Sequence, residues 1–143
     1  MKIALKEARI AAKCDEVPVG AVIVKDDRII SEAHNEREKK LDISSHAEIE
    51  AIKKAAKKLG KWDLAGCTIY VTLEPCLMCL GAIMQSRISR IVFGAKDEKE
   101  GAIVSKYNIL SENTGENSPL VSLDVLGEES SLLLKTFFKS KRK

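Results

Sequence analysis

Cys76 and Cys79 follow Pro75 at the end of a strand-like run, and this junction constrains the fold more than any other stretch of the chain. Thr68 to Leu73 alternates Ile69, Val71 and Leu73 with Thr68, Tyr70 and Thr72, the period-two pattern of a strand, which Pro75 ends. Proline suits the first turn of a helix, and residues three apart on a helix share a face. A short helix from Cys76 to about Gln85 therefore carries both thiols at its positive end, where the dipole and free amide hydrogens favour thiolate. Two thiolates side by side suit a divalent metal and want a third donor.

The neighbouring segments give that junction its surroundings. Residues 2–13 are rich in alanine, with Ile3, Leu5 and Ile10, and read as a helix that ends before Pro18. Val19 to Lys25 and Arg28 to Glu32 are β-branched runs joined at Asp26-Asp27, a hairpin pattern. His34 to Ser44 is polar. Ile49, Ile52, Ala56 and Leu59 then recur at helical spacing over about 46–59, with Gly60 as the stop signal. Ile88 to Phe93 reads as a fourth strand, Glu98 to Pro119 as irregular, and Val121 to Val125 as a fifth strand. Glu129 to Lys141 reads as a closing helix carrying Leu133, Leu134, Phe137 and Phe138. Strands alternating with helices predict an α/β fold, three layers α/β/α around a central mixed sheet of about five strands.

The length of 143 residues is that of one domain, and no repeat or Pro/Gly/Ser linker divides it, so 1–143 is read as a single domain. With 45% hydrophobic and 31% charged residues the chain is neither disordered nor fibrous. Its longest run without charged or hydrogen-bonding side chains other than Cys, Cys76 to Met84, is far short of the roughly 18 residues of a membrane helix. Lys6, Glu7 and Arg9 interrupt the apolar start, so no secretory signal is read there, and a cytoplasmic location is expected. The net charge of +3 permits a polyanionic partner without requiring one. Lysines cluster at 53, 54, 57, 58 and 61 and again near the C-terminus, and either cluster could be a solvated face or face phosphates.

In a reducing cell Cys14, Cys67, Cys76 and Cys79 are expected as thiols, which points to metal or catalysis. Cys14 reads as a helix-packing thiol and Cys67 as core. His46, at the start of the second long helix, is the natural third donor. One imidazole and two thiolates make a catalytic zinc pattern that leaves a fourth position for water. Glu48 is the candidate acid/base, because a zinc ion lowers the pKa of its water to roughly 7 and a nearby carboxylate can move that proton. Positions two apart on a helix point about 200° apart, so this pairing requires His46 to sit at the helix edge. Ser45-His46-Ala47-Glu48 also fits a capping box, with Ser45 bonding the amide three residues on and Glu48 reaching back. A redox dithiol or a structural zinc pair is open for Cys76 and Cys79, and His34 could complete a closed structural site.

The His46-Ala47-Glu48 and Pro75-Cys76-Leu77-Met78-Cys79 pair carries the H-x-E and P-C-x-x-C signature of the zinc nucleobase deaminases. Together with EVPVGAVIV at 16–24, VTLEPCLMCLGAIMQSRI at 71–88 and VFGAKDEKEGA at 92–102, the sequence resembles the bacterial tRNA-specific adenosine deaminases. The resemblance implies a cytidine-deaminase-like fold, a homodimer and one zinc ion per subunit. The implied substrate is a tRNA anticodon stem-loop, with the wobble adenosine of an arginine tRNA converted to inosine. It implies His46, Cys76 and Cys79 as zinc ligands and Glu48 as the proton carrier. Asn35 and Val19 are implied as base-pocket residues, Asp97 and Lys99 as contacts to flanking nucleotides, and Phe138 as an RNA contact of the last helix.

Three other readings share parts of this pattern. A small-molecule deaminase acting on guanine, cytosine or a nucleotide would use the same catalytic residues. A noncatalytic zinc RNA-binding module would need a fourth protein ligand, and a redox protein would need metal-free, reversibly oxidised sulfurs.

Overall fold

The structure, a computed structural model, describes residues 1–111 and 118–142. The chain order is α1 (Lys2–Lys13), β1 (Gly20–Lys25), β2 (Arg28–His34), α2 (Arg37–Lys40), α3 (Ala47–Leu59), β3 (Thr68–Leu73), α4 (Leu77–Gln85), β4 (Arg90–Ala95), β5 (Leu120–Ser122) and α5 (Gly127–Lys141). The strands form one mixed sheet in the order β2-β1-β3-β4-β5. β1 is antiparallel to β2 and β3, whereas β3, β4 and β5 run parallel. Asp26 and Asp27 both take positive φ, 50° and 62°, which is what a two-residue hairpin turn matching the strand twist requires.

Register decides which residues face which layer. Ile23, Ile69 and Ile91 lie across from one another, as do Ala21, Val71 and Phe93, and their side chains join Ala47, Ala51, Ala55, Leu80 and Ile83 in one core beneath α3 and α4. Val22 and Val92, one residue out of phase, turn the other way, to the layer of α1 and α5. Each fully buried Ile or Phe side chain stabilises this packing by roughly 1.5–3 kcal/mol. Ala47, Ala51 and Ala55, four apart and fully buried, give α3 a smooth stripe that lies close to the sheet. On the opposite face α1 packs so tightly that a Cβ on Gly20 would meet the Ala4 carbonyl oxygen at 1.9 Å.

The expected elements are present, with shifted ends. β2 continues to His34 and the polar stretch after it holds the short α2. β4 begins at Arg90 rather than Ile88, with Ser89 N bonding the Cys67 carbonyl just before the paired residues. β5 covers only Leu120–Ser122, and α5 starts two residues early, at Gly127. The irregular stretch expected over 98–119 contains a 3-10 turn at Ile109–Ser111, and its residues 112–117 lie outside the described residues. Cys67 is core as expected, but Cys14 is exposed: α1 ends before it, leaving it as the C-cap instead of a packing residue. Among the described residues no helix is long and apolar enough to cross a membrane.

Candidate active site

Two helix starts meet at the carboxyl end of β3, the usual place for a ligand in an open α/β sheet. His46 is the N-cap of α3, with extended backbone angles of −69° and 155°, and Cys76 is the N-cap of α4, at −78° and 176°. Neither residue is helical, so each side chain leaves its helix axis at an angle the helical spacing does not dictate. That resolves the 200° objection, since Glu48 occupies the first turn of α3 while His46 stands before it.

The entry to α3 is built locally. Asp42 Oδ1 accepts hydrogen bonds from Ser44 N at 2.8 Å and Ser44 Oγ at 2.7 Å, and the Ser44 carbonyl accepts from His46 N at 2.8 Å. The capping-box reading of Ser45 and Glu48 is not realised. His46, not Ser45, is the N-cap, no side chain caps α3, and the buried Ser45 hydroxyl has no hydrogen-bond partner among the described residues. With the helix starting one residue later than the box requires, Glu48 is freed to face the site.

His46 Nδ1 lies 3.8 Å from Cys76 Sγ and 3.4 Å from Cys79 Sγ, and the three donor atoms all lie within 4.8 Å of one another. A tetrahedral zinc ion with ordinary Zn–N and Zn–S lengths would separate its N and S donors by about 3.6 Å, so the cradle fits such an ion. No fourth His, Cys, Asp or Glu joins the group among the described residues, as the closed structural site with His34 would require. His34 instead pairs through Nδ1 with Glu7 Oε1 at 3.0 Å.

The electrostatics suit a divalent cation beside a proton carrier. A hydrogen bond with Cys79 pulls the Cys76 thiol down to about 4, helped by His46. The same bond to Cys76 and burial push the Cys79 thiol up, and the bond to Cys76 raises His46. Burial pushes the Glu48 carboxyl up to about 7, against its own backbone amide and the charge of His46. A carboxyl poised near neutrality can both take and give a proton.

His46, Glu48 and Cys76 line a cavity of about 380 Å³ together with Val19, Asn35 and Asp97. Asn35 is buried and held from both ends of its amide: Nδ2 donates to the Val17 carbonyl at 3.4 Å and Oδ1 accepts from Arg37 N at 3.2 Å. Of the expected site residues, the buried Cys79 and the exposed Lys99 and Phe138 do not line this cavity. Phe137, the inward member of the pair, borders an adjoining cleft that shares Val17, Asn35 and Arg37 with it. Val17, Arg37, Ala47, Leu73, Glu74 and Glu100 also line the cavity and were not expected from the sequence. The Glu16-Val17-Pro18-Val19 and Leu73-Glu74-Pro75 stretches that flank the motif residues were the available signal.

Comparison with known proteins is consistent along the chain. The MafB19-like deaminase family matches residues 1–142. A tRNA-specific adenosine deaminase of Aquifex aeolicus is 49% identical over 142 residues, covering 99% of this chain and 93% of the relative. A solved structure from a study of A-to-I editing by tRNA:A34 deaminases at the wobble position of transfer RNA superposes with a TM-score of 0.90 at 43% identity. It covers 94% of this chain and 97% of the other. The guanine deaminase of Nitrosomonas europaea, 23% identical with a TM-score of 0.83 over 95% of this chain and 81% of its own, shares the fold.

Proposed function

The chain belongs to the MafB19-like deaminase family, alongside the tRNA-specific adenosine deaminases, and on that premise we propose that it deaminates the wobble adenosine of a tRNA anticodon to inosine, with an arginine tRNA as substrate. Residues 1–143 would act as one deaminase domain. The observation that carries the reading is the convergence of the His46, Cys76 and Cys79 donor atoms within 4.8 Å of one another, at a cavity that His46, Cys76 and the buried Glu48 line.

His46, Cys76 and Cys79 would hold one zinc ion per subunit, which would supply the activation of water for hydrolysis. Glu48 takes a proton from the attacking water and delivers protons to the ring nitrogen and the departing amine, so adenosine and water give inosine and ammonia. Val19 packs against the base and Asn35, its amide already oriented, hydrogen-bonds the base edge. Asp97 borders the same cavity and faces the nucleotides next to the target, while Lys99 and Phe138 lie outside it, within reach of a longer RNA. A base in an anticodon loop is already partly unstacked, so its extrusion costs less than from a duplex, on the order of a few kcal/mol.

A homodimer would bury the apolar face shared by α3 and α4. Trp62 is 63% exposed, Leu77 47% and Met78 37%, and they border one shallow groove with Ile52 and Ala56. So much exposed apolar surface in one place is characteristic of an interface. A tRNA substrate also fits the expected cytoplasmic location. The test is incubation of the zinc-loaded protein with unmodified anticodon stem-loops and with free nucleobases, nucleosides and nucleotides, followed by digestion and detection of inosine, xanthine, uracil and uridine. Inosine from the stem-loop supports the reading; a product only from free guanine, cytosine or nucleotides would move the protein to small-molecule deamination.

A further inference from the structure

The segment from Asp97 to Ser105 is wrapped around one buried carboxylate, Glu74, which lies two residues before Cys76 and is only 2% exposed. Glu74 Oε1 accepts from Asp97 N at 3.1 Å and from the Ser105 hydroxyl. Oε2 accepts from Ile103 N at 3.0 Å, Val104 N at 2.8 Å and Ser105 N at 3.1 Å. A carboxylate offers about four lone-pair sites, so five donors saturate it, and it has no capacity left for a metal or a substrate. The fit is close. A Cβ on Gly101 would stand 2.5 Å from Glu74 Cδ and 2.5 Å from the Asp97 carbonyl oxygen. The segment is tied to the strand end at one further point, by Ala102 N to the Pro75 carbonyl at 2.9 Å, and Glu74 N bonds the Ala95 carbonyl at the end of β4 at 2.8 Å.

The clamp has a consequence for recognition. Asp97 and Glu100 both line the cavity, and Asp97 Oδ1 in turn receives Lys99 N at 3.1 Å and Glu100 N at 3.2 Å. Their positions follow from where the Asp97 and Gly101 backbone is pinned, and Glu74 pins it. We propose that Glu74, packed against Gly101, is a positioning residue for substrate specificity: it sets the acidic wall of the cavity and thereby the binding of the RNA around the target base. The proposal rests on the deaminase reading, but its structural part can be tested apart from activity.

Glu74→Gln keeps the shape and turns half of the acceptor into an NH2 group facing backbone donors. Gly101→Ala keeps the charge and drives a methyl group onto the carboxylate. Both variants are expected to raise KM for an anticodon stem-loop roughly tenfold, as the loss of one charge-assisted hydrogen bond would. Their kcat should stay within about twofold and their zinc content at the wild-type level. Hydrogen exchange gives the independent readout. In the wild-type protein the amides of Asp97, Ile103, Val104 and Ser105 should be protected as a group, and in Glu74→Gln they should lose that protection together. Unprotected amides in the wild type, unchanged protection in the variant, or an unchanged KM would overturn the proposal, as would a fall in kcat and zinc content at constant KM. A wild-type protein that makes no inosine but shows the protection pattern would refute the deaminase reading and leave the clamp standing.

Discussion

His46 Nδ1 stands 3.4 Å from Cys79 Sγ although 33 positions separate them in the chain. The contact joins the starts of α3 and α4, and it exists because His46 and Cys76 are both N-caps with extended backbone. The geometry of the three donors is thereby coupled to the packing of two helices on the sheet.

Cys79→Ala removes a buried donor from that grip. Added zinc should raise the melting temperature of the wild-type protein, because an ion that binds only the folded state stabilises it by mass action. The variant should show almost no such shift and a small fraction of the wild-type zinc by elemental analysis. Full zinc content in Cys79→Ala would remove it from the ligand set.

Ser45→Ala separates the two readings of the α3 start. A capping serine would cost about 1 kcal/mol on replacement. The Ser45 hydroxyl is buried without a partner among the described residues, so its removal should be neutral or mildly stabilising by urea denaturation. A loss of 1 kcal/mol or more would restore the capping box.

These two residues also mark where the sequence was legible. The helical spacing of Ile49, Ile52, Ala56 and Leu59 and the glycine after it located α3, whose C-cap Gly60 takes φ of 70°. The motif residues pointed to His46, Cys76 and Cys79, whose donor atoms lie within 4.8 Å of one another, because few other side chains combine in that pattern. Which residue begins the helix was not legible, since Ser45 and His46 are both able to do so and the choice is made by the turn that Asp42 builds. The role of Glu74 was hidden for a related reason: its five donors come from residues 23 to 31 positions away and depend on how the segment folds back. Phe137 and Phe138 are adjacent and equally apolar, and only the rotation of α5 turns Phe137 inward.

The Asp42 turn gives a pH dependence. Hydrogen bonds from Ser44 hold the Asp42 carboxyl below its ordinary value of 3.8. A carboxyl depressed in the folded state contributes stability that is fully present above the unfolded value and is lost as pH falls through the folded one. NMR titration should find the Asp42 midpoint below 3.8, and Ser44→Ala should move it upward. The effect on stability is small because the group is only partly buried and is screened by solvent. A midpoint at or above the ordinary value would show that the turn does not form as described.

Gly20→Ala tests the contact of α1 with β1. A methyl group there has no room beside the Ala4 carbonyl oxygen and Ala8 N, at 1.9 and 2.6 Å, so backbone must shift. Overpacking of this kind costs about 1–3 kcal/mol, to be read from urea unfolding. Wild-type stability would mean that α1 sits further from the sheet.

The central claim is that one carboxylate beside three metal donors moves protons without binding the metal. Glu48→Gln, assayed with an anticodon stem-loop for inosine and by elemental analysis for zinc, tests it most directly. Wild-type zinc content is expected, with inosine formation reduced at least roughly 100-fold, the low end of what general acid–base catalysis contributes. Loss of zinc from the variant, or inosine formation near the wild-type rate, would contradict it.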